Sequence, residues 1–165
     1  MKRPVLALAA VTLASLAVYS GFRMLASDET KIRWLLEDAT ESFNGTSVSG
    51  CVAGFHMDYK DKTDRLIDRG TLSQALLYMF MHKRDGKSDR FLYRVDLPAE
   101  SLTILIEEDG EAVATFDLHL ELQEQDDGER REAWRIGATA WLRETDGDWL
   151  IHRSSHRTIS GRQPR

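Results

Sequence analysis

The sequence predicts an α+β domain in which helices come first and a long antiparallel meander follows. Three observations carry this. Apolar residues recur at helical spacing between Asp28 and Phe80. The last third, Ser101 to Ile159, alternates apolar and polar residues in runs. Three Asp-Gly turns punctuate those runs, at Glu108-Asp109-Gly110, Asp126-Asp127-Gly128 and Asp146-Gly147. Glycine takes positive φ without a Cβ clash, so Asp-Gly between alternating runs signals a hairpin.

The helices are read from their ends. Ser27-Asp28-Glu29-Thr30 supplies a capping hydroxyl and early negative charge, both favourable at a helix start. Ile32, Leu35, Leu36, Ala39 and Phe43 then form one stripe, and Asn44-Gly45 closes it. Val48, Cys51, Val52 and Phe55 suggest a shorter second helix. His56 to Asp61 reads as a polar connection, and Thr71-Leu72-Ser73-Gln74 as the capping box of a third helix through Phe80. Phe91 to Val95 is a strand, stopped at Pro98.

Turn lengths set the register of the meander. A three-residue loop at Asp126-Asp127-Gly128 opposes Leu118 to Ile136 and Leu120 to Trp134. A two-residue turn at Asp146-Gly147 opposes Leu142 to Ile151 and puts Trp149 on the same face. The loop at residues 108–110 adds Leu102, Ile104, Ile106, Ala114 and Phe116 to that face. Asp117, His119, Glu121, Arg135, Thr139, Trp141, Arg143, His152 and His156 fall on the other. Continued without interruption, the register opposes Arg153 to Ala140 and Ser155 to Ala138, on the side facing the helices.

Residues 1–27 are a leader and residues 28–165 the domain. Behind Lys2 and Arg3, Val5 to Phe22 carries no charge. It is long for a signal peptide and near the lower limit for a spanning helix. Arg23 closely follows the run, which favours an uncleaved inner-membrane anchor over a cleaved signal. Both readings put the domain outside the cytoplasm, in the periplasm or secreted. From Asp28 onward, 19 basic against 27 acidic residues leave a formal charge of −8, unsuited to nucleic acid. Cys51 is the single cysteine, which excludes an internal disulfide and cysteine-based zinc sites. On a strand, His152 and His156 stand about 13 Å apart, too far to share an ion, so no metal is expected. No phosphate loop, His-Glu-x-x-His or Gly-x-Ser-x-Gly occurs, so no cofactor and no named reaction follow.

The first helix, the Asp58-Tyr59-Lys60-Asp61 connection and the ending Asp146-Gly147-Asp148-Trp149-Leu150-Ile151-His152 together resemble the nuclear transport factor 2-like superfamily. That superfamily takes in SnoaL-like proteins, ketosteroid isomerases and scytalone dehydratases. The resemblance implies the cystatin-like arrangement of three N-terminal helices packed on a curved, mostly antiparallel sheet, with a conical pocket and a homodimer formed through the sheet. It implies a small-molecule ligand in the cone. This fold behind an N-terminal anchor is similar also to inner-membrane assembly components of type IV secretion systems, and this alternative is a protein–protein scaffold without catalysis. No catalytic set of the superfamily maps onto this chain residue by residue.

The candidate ligand-binding residues are Asp58, Tyr59, Asp61, Trp134, Arg153 and Ser155. A guanidinium at the helix-facing position of Arg153 cannot be buried unpaired. Either a carboxylate of the Asp58-to-Asp61 connection meets it, or it grips a polar or anionic ligand walled by Tyr59 and Trp134. Trp141 and Leu150 are large for the opposite, polar face, which fits a partner sheet there.

Overall fold

The computed structural model describes residues 26–64, 66–123 and 128–164. The leader Val5–Phe22 and most of the loop at residues 124–127 lie outside the described residues. Among the described residues no helix is long and apolar enough to cross a membrane.

Helix α1 (Asp28–Asn44) begins where the Ser27 hydroxyl accepts the Thr30 N–H, and it buries Ile32 and Leu36. At its far end the Asn44 amide donates to the Val95 carbonyl (2.9 Å) and accepts the Val95 N–H (2.8 Å), tying the helix to the sheet. Helix α2 (Val48–Ala53) is capped by Ser47 and buries Cys51 and Val52. Strand β1 (Phe55–Asp61) follows directly. Helix α3 (Arg69–His82) comes next, its first turn capped by the Asp68 carboxylate, which accepts the Thr71 N–H. Strands β2 (Tyr93–Asp96), β3 (Thr103–Ile106), β4 (Glu111–Leu122), β5 (Arg131–Thr145) and β6 (Asp148–Gly161) complete the order.

The sheet runs β1-β6-β5-β4-β2, with β3 also on β4. It is mixed, because β1 pairs parallel to β6 while the other neighbours are antiparallel. It is curved and does not close. The expected pairs Leu118–Ile136, Leu120–Trp134 and Leu142–Ile151 are all present, and Ile104 pairs with Ala114. Their inner side packs Ala112, Ala114, Phe116, Ala138, Ala140 and Leu142 against Ile32, Leu36, Tyr59 and Leu102.

Three expectations need correction. His56 to Asp61 is not a connection but most of β1. Its alternation is poor because three extra residues bulge between the pairs Phe55–Ile151 and Lys60–Arg153. The α3 cap is Asp68, three residues before the Thr71 of the expected capping box. The third correction moves the site. β6 carries an extra residue, His152, between the pairs Leu142–Ile151 and Trp141–Arg153. An inserted residue in a structure of period two exchanges the faces beyond it. Ser154 now opposes Ala140 and His156 opposes Ala138, while Arg153 opposes Trp141 and Ser155 opposes Thr139.

Candidate functional site

Arg153 is exposed, on the side of Trp141, away from the helices. It is not the polar floor that an uninterrupted register predicts. Ser155 lies on the same outer side, half-buried. Asp58 is outside as well, its side chain 91 % exposed. Tyr59 and Asp61 are buried, at 3 % and 4 % exposure, and what they meet is Ser154 and His156. The His152 bulge brings these two residues inward. Sequence periodicity misses both, because a bulge leaves no mark in the alternation when its neighbours are polar on both faces.

Asp61 is the hub. Its Oδ1 accepts the N–H groups of Thr63 (2.7 Å) and Asp64 (2.8 Å), which is the chemistry of an Asx turn leaving β1. Its Oδ2 accepts the Ser154 hydroxyl at 2.7 Å. With that proton committed, the Tyr59 hydroxyl donates to Ser154 Oγ, also at 2.7 Å, and points more distantly at Oδ2, 3.4 Å away. The chain therefore runs from Tyr59 through Ser154 to Asp61, across the β1–β6 seam.

The environment sets the protonation of both ends. Burial alone would raise the Asp61 pKa, but the bonds from Asp64, Ser154 and Thr63, with the His156 imidazole nearby, outweigh it and hold the carboxyl below its ordinary value. Burial, joined by the adjacent Asp61 charge and opposed in part by Ser154, pushes the Tyr59 phenol up to about 12. At neutral pH the pair is a carboxylate and a neutral phenol.

His156 completes the group. Its Nδ1 lies 3.8 Å from Asp61 Oδ2, with the imidazole 31 % exposed. Thr63 fixes its backbone, accepting the His156 N–H at 2.9 Å and donating to the His156 carbonyl at 3.2 Å. The Trp134 ring meets the imidazole edge-on, with centroids 6.2 Å apart, and its Nε1–H donates to Thr158 Oγ1. A half-exposed imidazole backed by a buried carboxylate can hydrogen-bond a ligand and can hold or move a proton. Thus Tyr59 and Asp61 of the sequence candidates come together, Trp134 joins through His156, and Asp58, Arg153 and Ser155 do not. Among the described residues no cluster of three or more metal-ligating side chains occurs. An open groove of about 680 Å³ lies elsewhere, between α1, α2 and the β5–β6 turn, and includes none of the six sequence candidates.

No family model and no curated protein matches the sequence. Solved structures do match in fold. A nuclear transport factor 2-like protein with a cystatin-like fold from Novosphingobium aromaticivorans aligns with a TM-score of 0.63 at 14 % identity, covering 92 % of this chain and 90 % of that one. Aln2 from a Streptomyces species aligns at 0.65 and 12 % identity, covering 81 % of this chain and 93 % of its own. A candidate scytalone dehydratase, also from N. aromaticivorans, aligns at 0.59 and 11 % identity over 84 % and 89 %. This likeness establishes the cystatin-like, nuclear transport factor 2-like fold.

Proposed function

We propose that the chain is a small-molecule-binding domain whose cone opens onto the inner face of the sheet. In this reading Asp61, Tyr59 and Ser154 form the polar floor, His156 the ligand-facing group and Trp134 the wall. The observation that carries it is a fully bonded, ionised carboxylate 4 % exposed beside an imidazole that is still 31 % exposed. Asp61 has spent its lone pairs inside the protein, so His156 is the group left to address a ligand. The aromatic wall suits a small ring compound bearing a hydroxyl or carbonyl group. A fold neighbour from N. aromaticivorans described as a candidate aromatic ring hydroxylase is consistent with a ring compound as ligand. We further propose that Val5–Phe22 delivers the domain outside the cytoplasm.

Titration of the full chain with phenol and with cyclohexanone, followed by the Trp134 indole and His156 imidazole NMR signals, tests the site. Saturable shifts at both residues, abolished by His156→Ala, are expected. Shifts that are absent, or that survive His156→Ala unchanged, overturn the assignment.

The outer face favours a second reading, assembly through the sheet. Leu105, Val113 and Trp141 line up across β3, β4 and β5, with Leu105 61 % exposed and the Lys62 ammonium 3.4 Å above the Trp141 ring. A two-fold pairing of this stripe with its own copy would cover it. Light scattering should give a dimer that Trp141→Glu converts to monomer. A monomer at high concentration in the unaltered chain ends this reading.

A further inference from the structure

On the outer side of the same seam, the extra residue of β6 meets the bulge of β1. The His152 and His56 imidazoles stack there, with centroids 3.9 Å apart and planes inclined by 23°. His56 Nδ1 accepts the Asp58 N–H at 3.1 Å and lies 3.9 Å from the Asp58 carboxylate. His152 Nε2 is buried with no hydrogen-bond partner. Neither observation belongs to the ligand site described above. Both stand where β1 and β6 are least regularly joined: no β-ladder partners are formed between the pairs Phe55–Ile151 and Lys60–Arg153.

Charge is unwelcome at this position. Facing His152 are His56 and Asp58 on β1, Arg143 on β5 and Arg153 on β6. Burial comes first among the influences that lower the His152 pKa, followed by the neighbouring His56 and Arg143, with Arg153 also lowering it. Only Asp58 acts the other way, and its carboxylate stands 91 % exposed, where solvent screens it. Arg143 is itself occupied by Glu111, at 2.5 Å. A proton on His152 has no carboxylate within the stack to meet.

We propose that the His56–His152 stack is an acid-sensitive latch on the β1–β6 seam, whose protonation expels His152 and frees β1 from its partner. Because β1 also carries Tyr59 and Asp61, opening the latch loosens the inner cluster from Ser154. The direction follows from linkage. A histidine whose folded pKa is depressed favours the folded seam above the ordinary imidazole value of about 6.5, and that contribution is lost as pH falls below it. The latch is therefore closed at neutral pH and opens in mild acid. It does not depend on a ligand being bound.

Hydrogen exchange of the full chain tests it, through the protection of the Asp61 amide, which donates to Ile67 O, and the Lys62 amide, which donates to Ser154 O at 2.6 Å. Between about pH 7.5 and about pH 5.5 the protection factors of these two amides should fall several-fold relative to those of β4. In His152→Phe, which keeps an aromatic stack and cannot titrate, they should stay flat. Should that variant not fold, His152→Gln, which also cannot titrate, serves the same purpose. Undiminished protection in the unaltered chain overturns the proposal. So does a fall that persists in the Phe variant and disappears in His156→Gln, which would assign the response to the inner cluster instead.

Discussion

Two regions on opposite sides of one seam treat buried polar groups differently. Inside, Asp61 is 4 % exposed and ionised, with its oxygens accepting from Thr63, Asp64 and Ser154. Outside, His152 leaves a buried nitrogen without a partner, and its pKa is depressed. The difference shows what licenses charge in a protein interior. Low exposure raises the energy of an ion in either region, and only the supply of donors inside reverses the outcome. The inner region is accordingly built to hold one state, and the outer one to be tipped between two.

The largest way to break this contrast is to remove the hub. Asp61→Leu leaves the Ser154 hydroxyl and two turn amides without their acceptor. It should cost about 3–5 kcal/mol in urea unfolding. Asp61→Asn keeps the acceptor at Oδ1 and should cost about half of that. A loss below about 1 kcal/mol for the leucine variant would mean that the cluster does not hold the seam.

The phenol gives the next effect, with a distinct pH signature. Tyr59 in the fold keeps its proton up to about 12, whereas an unfolded tyrosine loses it near 10. The unfolded chain therefore binds fewer protons across that window, so stability falls as pH rises from about 10 to about 12. The loss should be about 2–3 kcal/mol. Tyr59→Phe removes this alkaline slope while lowering stability at neutral pH through the lost Ser154 bond. An unchanged slope in Tyr59→Phe would assign it to another group.

How much of this was legible in the sequence depends on where polarity alternates. Registers around Leu118–Ile136 and Leu142–Ile151 were readable, because a slip there would put leucine and isoleucine into water. Beyond Ile151, the run His152-Arg153-Ser154-Ser155-His156 is polar on both faces, so hydrophobicity exerts no preference and the bulge is invisible. The candidate site lies within that stretch. Tyr59 and Asp61 were found, but for a structure in which they would meet Arg153, while Ser154 and His156 were missed. Strand β1 escaped for a related reason: its parallel pairing with β6 joins residues about 95 apart in sequence and leaves no turn to read.

Ser154 separates the two faces at the level of one hydroxyl. It donates to Asp61 and accepts from Tyr59, so Ser154→Ala removes two bonds inside the seam and should cost about 1–2 kcal/mol. Ser155→Ala, one residue along and facing outward, should cost under about 0.5 kcal/mol. Equal losses for the two serines would show that the register places neither where β6 is described.

The smallest expected effect is the most specific to the bulge. Arg153 opposes Trp141 and Lys60 and is exposed. Its Coulomb interactions are screened there, and surface charges of this kind contribute little. Arg153→Ala should therefore change stability by less than about 0.5 kcal/mol and leave the phenol and cyclohexanone titrations of Trp134 and His156 unaltered. Were the register uninterrupted, the same substitution would delete a buried guanidinium and strand whatever carboxylate paired with it, at a cost of several kcal/mol. The two outcomes differ by far more than the error of an unfolding curve, so one substitution decides whether His152 is the extra residue.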